Sequence, residues 1–405
     1  MERPRNLTND RSVHRAVLQR GRRALLVLAA AGAFGALPAP AAAQATYKIG
    51  AVYALTGPAS ILGDVEAKAA RLAVDEANAA GGIKGRKVQL VLEDSKSQET
   101  GAVLSLRKLI AQDRVAVILG PSRTGDAMAA IPIVNEAGVV MLPPVSGVGV
   151  VEPVAQRKWV FRPGQGGDLS VGKVLDYAKR AGWKRMGVLY SSDAYGEDGR
   201  NNMRRQAAGK GISIAREESF SPTATDLKPQ LANLRSANVD AIFVHGIGAP
   251  AVVVYRNAAE LGMKTPLVSG HGQANAAFRK AVGEDVTGHP VVGAPVLVWN
   301  ELPASHPQRA PSEQFAKKYQ AKYGVPPDMF AGVAYDSAVI ALKALAEVGD
   351  DRAKIRDWFE TKVKNYPGVT GNFNFSPTDH GGLTSDALVM MIATPEGWRL
   401  ADYEK

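Results

Sequence analysis

The reactive side chains of this chain are six histidines and thirty-nine carboxylates, with no cysteine. Their spacing builds no catalytic motif: there is no G-x-S-x-G elbow, no Walker loop and no H-E-x-x-H. His245 and His271 fall at two predicted strand ends. Together with Asp193 they are the nearest approach to a metal set, but they lack metal-ligand spacing. Gly147-Val148-Gly149 lacks the third glycine of a dinucleotide fingerprint. The missing cysteines exclude disulfides, thiol nucleophiles, thiolate metal sites and a lipid anchor. No metal, no cofactor and no enzymatic chemistry is expected. In open α/β sheets ligands sit beyond the carboxyl ends of the strands, and the first such loop, Thr56 to Asp64, is long enough to hold one and is the first candidate binding surface.

That loop belongs to a βαβ unit. A strand from Ile49 to Leu55 breaks at Thr56-Gly57-Pro58, and a helix from Asp64 to Ala80 stops at Gly81-Gly82. A second strand then runs from Val88 to Leu92. The alternation continues through strands at 115–119, 139–142 and 159–162. A second series follows, with strands at 186–190, 212–219, 241–245 and 267–269. Strands separated by helices of ten to fifteen residues imply parallel sheets. From about Val296 the rhythm changes to long helices at 312–323, 330–348 and 353–361, then strands at 372–375 and 387–392. The fold class predicted is α/β, with two Rossmann-like lobes.

At 405 residues the chain accommodates two domains, with 46% hydrophobic and 22% charged residues. Residues 1–43 read as an export signal. Arg22-Arg23 precede the apolar run Ala24 to Leu37, and small residues at 41–43 offer a cleavage site, with Ala45 as an alternative. Secretory and twin-arginine export both remain open, as does a start codon downstream of Met1. Residues 1–23 carry seven arginines against Glu2 and Asp10, a net +5, which leaves +5 of the formal +10 for the mature chain. Those charges are scattered, which argues against a nucleic-acid partner. No apolar run beyond the leader approaches the roughly 20 residues that cross a bilayer. A free, soluble periplasmic protein is expected.

Several stretches resemble the periplasmic solute-binding proteins of the leucine/isoleucine/valine type, which serve ABC importers. They are LTGPA at 55–59, NAAGGIKGRKVQLVLED at 78–94, VILGPSRTGDAMAAIPIVNEAGV at 117–139 and VLYSSDAYGEDG at 188–199. TDLKPQLANLRSANVDAIFVHG at 225–246, AYDS at 334–337 and GNFNFSPTDH at 371–380 extend the likeness over nearly the whole mature chain. The resemblance implies a type I periplasmic binding protein fold, with a cleft between lobes joined by three crossover strands. Lobe one would hold 46–164 with 297–384, and lobe two 165–296 with 385–405. It also implies a monomer whose partner is an inner-membrane permease.

The resemblance aligns four loops with the family's ligand contacts. At Ser122-Arg123-Thr124, helix-start N–H groups and the Thr124 hydroxyl would receive a carboxylate; Thr124 as a plain helix cap is the alternative. Val145-Ser146-Gly147 lacks the family's hydroxyl at Gly147, with Ser146 as its substitute. Tyr195 would close over the ligand from lobe two, or simply pack at a helix start. Ile247 stands where the branched-chain binders place a tyrosine, and His271 where they place the acid that pairs with an ammonium group. The family's two half-cystines are replaced by Lys96 and Arg123, which are therefore expected to be neighbours. Loss of the acid beside gained cations points to an anionic ligand, with Arg123 forking onto its carboxylate. Leu62 and Ile247, with Phe330 as a further wall, would contact an aromatic or aliphatic body. A branched-chain amino acid held by a rearranged ammonium site is the alternative. An exported enzyme and a receptor feeding a separate sensor are alternatives of another class.

Overall fold

Two sheets, each built around a strand buried on both faces, organise the chain. The computed structural model describes Met1 and residues 46–404, so the expected leader lies outside the described residues. The first stretch runs β1 (Tyr47–Tyr53), α1 (Ser60–Ala79), β2 (Val88–Asp94), α2 (Glu99–Lys108), β3 (Val117–Leu119), α3 (Thr124–Ala137) and β4 (Val140–Leu142). The second runs α4 (Gly167–Arg180), β5 (Arg185–Ser191), α5 (Ala194–Gln206), β6 (Ser213–Phe220), α6 (Lys228–Ser236), β7 (Ala241–His245), α7 (Ala249–Glu260), β8 (Leu267–Ser269), α8 (Ala276–Val282) and β9 (Pro290–Gly293). The last comprises α9 (Arg309–Tyr323), α10 (Met329–Val348), α11 (Arg352–Lys362), β10 (Tyr366–Pro367), β11 (Asn372–Phe373), β12 (Val389–Ala393) and β13 (Trp398–Leu400).

The first sheet has the order β2-β1-β3-β4, all parallel, with Ile49 opposite both Leu90 and Val117. The second has the order β13-β12-β9-β8-β7-β5-β6. It is parallel from β6 to β9, as expected of βα units, and β12 and β13 close its edge antiparallel. One segment carries the chain from the first sheet to the second, after β4. After β9 the chain leaves the second sheet for α9 to α11 and a separate two-stranded sheet, β10-β11, and returns at β12. The strand predicted at 159–162 reduces to one bridge, Val160 to Met141.

Both sheets reverse their winding direction beside their first strand. In the first the reversal lies between β1 and β3, in the second between β5 and β7. A crevice opens at such a point because the helices on either side leave to opposite faces. The helices there press unusually close to the strand ends. A Cβ at Gly63, in α1, would lie 2.2 Å from the Ala54 carbonyl oxygen. One at Gly196, in α5, would lie 1.8 Å from that of Ser191. Only glycine lets these first helical turns seat on the strand ends.

Several boundaries differ from the sequence reading. α1 begins at Ser60, four residues early, so the supposed ligand loop Thr56 to Asp64 is largely helix. The Ala59 N–H at that start is satisfied by the Ser97 hydroxyl at 3.0 Å, a partner far away in sequence. Helix α2 was not anticipated. α10 is long and apolar enough to cross a membrane, contrary to expectation, yet 78% of its most apolar stretch is buried inside the protein. It packs along α1 as a core helix.

Candidate functional site

The loops after β1, β3, β4, β5 and β7 meet around one cavity of about 280 Å³. Nine of the ten predicted site residues line it: Leu62, Ser122, Arg123, Thr124, Val145, Ser146, Tyr195, Ile247 and His271. Phe330 joins them, with Met329 and Val333 from the same helix. Gly147 does not. Its carbonyl accepts from Arg162 Nη1 at 3.2 Å, and a Cβ there would stand 2.4 Å from the Thr124 methyl carbon. Thr124 already fills the space that a side chain at 147 would need, which accounts for the missing hydroxyl. Lys96 is exposed and lines no part of the cavity. It does neighbour Arg123 in space, since Arg123 Nη1 bonds the carbonyl of the adjacent Ser97.

The cavity floor in the first sheet is polar and already engaged. The Ser122 hydroxyl accepts from the Ala54 N–H at 3.0 Å and donates to Glu66 Oε2. Glu66 is fully buried, and burial pushes its carboxyl up to about 8, against the pull of Ser122. Arg123 Nη1 also lies 3.4 Å from Asp126, whose burial raises its own carboxyl to about 6 despite the guanidinium. One arm of the Arg123 fork is therefore committed to the protein, while the residue still lines the cavity.

Thr124 and Gly125 open α3, and the Ala127 N–H is the first to bond back, to Arg123 O at 2.9 Å. The N–H groups before it have no helical carbonyl to reach. Thr124 is the first helical residue; Arg123 occupies the cap position and makes no side-chain cap bond.

On the opposite wall, Tyr195 is held rigidly. Its hydroxyl accepts from the Gly272 N–H at 3.1 Å, and its ring stacks on His245 with centroids 4.1 Å apart. His271 meets the Tyr195 ring edge-on at 5.8 Å. Burial, helped by the nearby Arg162, lowers His271 to about 4, so it faces the cavity as a neutral ring. It supplies neither an acid for an ammonium group nor a positive charge.

Two polar groups here, Glu99 and Arg162, escaped the sequence reading, and Asp193 entered it only as a weak metal candidate. Glu99 and Asp193 both line the cavity, so acids are present although the aligned acid is gone. Arg162 is a buried cation in the segment between the sheets. It donates to the Ser146 and Gly147 carbonyls and is surrounded by Asp168, Asp198, Glu152 and Asp379. The run Phe161-Arg162-Pro163-Gly164, a charge set between an aromatic and a turn, was the available signal. No group of three potential metal ligands exists among the described residues.

A family profile described as periplasmic binding protein matches residues 46–396. Leu/Ile/Val-binding protein homolog 7 of Brucella abortus (strain 2308) is 28% identical over 337 residues, covering 79% of this chain and 82% of that protein. Among solved structures, an extracellular ligand-binding receptor from Rhodopseudomonas palustris HaA2 superposes with TM-score 0.82 at 27% identity, over 88% of this chain and all of that one. The branched-chain amino acid transporter substrate binding protein LivJ from Streptococcus pneumoniae, solved in complex with isoleucine, gives TM-score 0.77 at 26% identity. It covers 88% of this chain and 99% of its own.

Proposed function

The chain belongs to the periplasmic binding protein family, and from that premise we propose that it is the substrate-binding component of an ABC importer. In this reading the leader directs export, and a monomer closes its two lobes on a small carboxylate-bearing solute. The closed protein then delivers the solute, chemically unchanged, to an inner-membrane permease. The lobes are 46–164 with 297–384, and 165–296 with 385–405. A ligand favours closure only through stronger binding to the closed state, and a cleft between two reversal points offers that.

The observation that carries the ligand class is the convergence of helix starts. First-turn residues of α1, α3, α5 and α10 line the cavity: Leu62, Thr124, Ala194 and Met329. Each helix amino end carries roughly half a positive charge. His271 is neutral and the usual acid is absent, so these ends and Arg123 favour an anion. Leu62, Ile247, Phe330 and Val333 suit an apolar body. We therefore assign an aromatic or aliphatic monocarboxylate. A second reading has its own support: Asp193 or Glu99 receives an ammonium group, and the ligand is a branched-chain amino acid, as the relatives' names state for them.

Titration calorimetry separates the two. Benzoate and short aliphatic acids are expected to bind stoichiometrically and without turnover, and leucine and valine weakly. Arg123→Ala should weaken carboxylate binding about tenfold, below the full effect of truncating a buried charge pair, because one arm is already committed and the site is part-exposed. Tight leucine or valine binding transfers the assignment to the second reading.

A further inference from the structure

A second cavity of about 270 Å³ adjoins the first and shares four of its residues, Leu62, Arg123, Asp193 and Ile247. Leu62 is buried, and Ile247 packs against the same small apolar cluster from the other sheet's loops. These two side chains form the boundary between an inner and an outer chamber. The inner chamber alone sits below the range of typical ligand pockets, and the two together lie well within it.

The outer chamber differs in chemistry from the inner one. Its own walls are mainly apolar, chiefly Pro58, Ile61, Pro222 and Pro250; the polar side chains are Ser97, whose hydroxyl is given to the Thr56 carbonyl, and Thr223 on an exposed loop. Three of these walls are prolines, which carry no backbone N–H. A polar tail would find few donors there, whereas a hydrocarbon chain would lose nothing by entering and would leave water. The charged groups, Arg123 and Asp193, stand only at the boundary.

We propose that the solute is an elongated carboxylate, with its head at the start of α3 in the inner chamber and its hydrocarbon chain passing between Leu62 and Ile247 into the outer one. This rests on the carboxylate reading above. It adds that chain length, not only the head group, is selected. Each methylene that leaves water for the outer chamber should strengthen binding about fourfold.

The test is calorimetry with straight-chain monocarboxylates from butyrate to decanoate, on wild type and on Thr223→Trp. Thr223 lines only the outer chamber and is exposed, so an indole there fills the space without disturbing the core. Thermal unfolding confirms that the variant is folded. Wild type should show a steady gain with length. The variant should lose the gain for long chains and keep butyrate affinity within about twofold. Short acids that bind with no dependence on length overturn this inference and leave the carboxylate reading standing. So does a variant that weakens all lengths equally. If no monocarboxylate binds, the carboxylate reading falls and the inference with it.

Discussion

Gly196→Ala is expected to cost about 3 kcal/mol or more of unfolding free energy, a large effect for one added methyl group. The new carbon would lie 1.8 Å from the Ser191 carbonyl oxygen, 2.6 Å from its carbon and 2.7 Å from its nitrogen. All three atoms are backbone, so no rotamer change relieves the overlap. The first turn of α5 must lift off the end of β5, carrying Tyr195 with it. That movement breaks the Tyr195 bond to Gly272 and its stack on His245. Urea unfolding measures the loss. Gly209→Ala is the matched control, because a Cβ there meets nothing within 4 Å. Equal unfolding midpoints for the two variants would refute the close-approach argument.

Acid should unfold the protein partly through His245. Its ring is fully buried between Tyr195, Phe243 and His271, and a Cβ at Gly199 or Gly270 would collide with it. Neither ring nitrogen has a hydrogen-bond partner; the backbone at Tyr195 slightly favours the charged ring but lies outside normal bonding geometry. Burial, then the neighbouring His271, lowers its pKa to about 3. The sign follows from linkage. The unfolded chain takes up a proton below about pH 6.5 and the folded ring does not, so stability is flat above that pH and falls as pH drops toward 3. The full contribution is on the order of 5 kcal/mol. His271, lowered to about 4, acts in the same direction.

Buried carboxyls oppose this trend. Glu66, raised to about 8, and Asp328, raised to about 7, add stability as pH falls through those values toward about 4. The informative quantity is therefore a difference between proteins. His245→Leu removes no hydrogen bond, and its urea stability should decline less than that of wild type between pH 6.5 and 4. Parallel pH profiles would mean that His245 does not resist protonation in the folded state.

The helical and strand periodicities were legible in the sequence, because each element buries a face set by its own residues. The two series of βα units and the loops that end them follow from this. What stayed hidden depends on partners distant in the chain. The start of α1 at Ser60 is stabilised by the Ser97 hydroxyl rather than by a local cap. Helix α2 has a short, weakly patterned sequence and buries only Ala102, Ser105 and Leu106. Glu66 reads as one more acid on a helix, and only the fold sets it beneath Ser122. Lys96 and Arg123 are neighbours, but one faces solvent and the other the cavity. Their side-chain directions come from the left-handed backbone at Lys96 and the helix start after Arg123. Nothing local in the sequence fixes either.

The contact between Gly147 and the Thr124 methyl group makes these two positions epistatic. A hydroxymethyl group added at 147 alone would force the Thr124 methyl group to turn aside, and trimming Thr124 alone would leave a gap beside Gly147. Specificity at this corner of the cleft therefore changes most easily in paired steps. A search that varies one residue at a time would undervalue the exchange that moves a hydroxyl from one loop to the other.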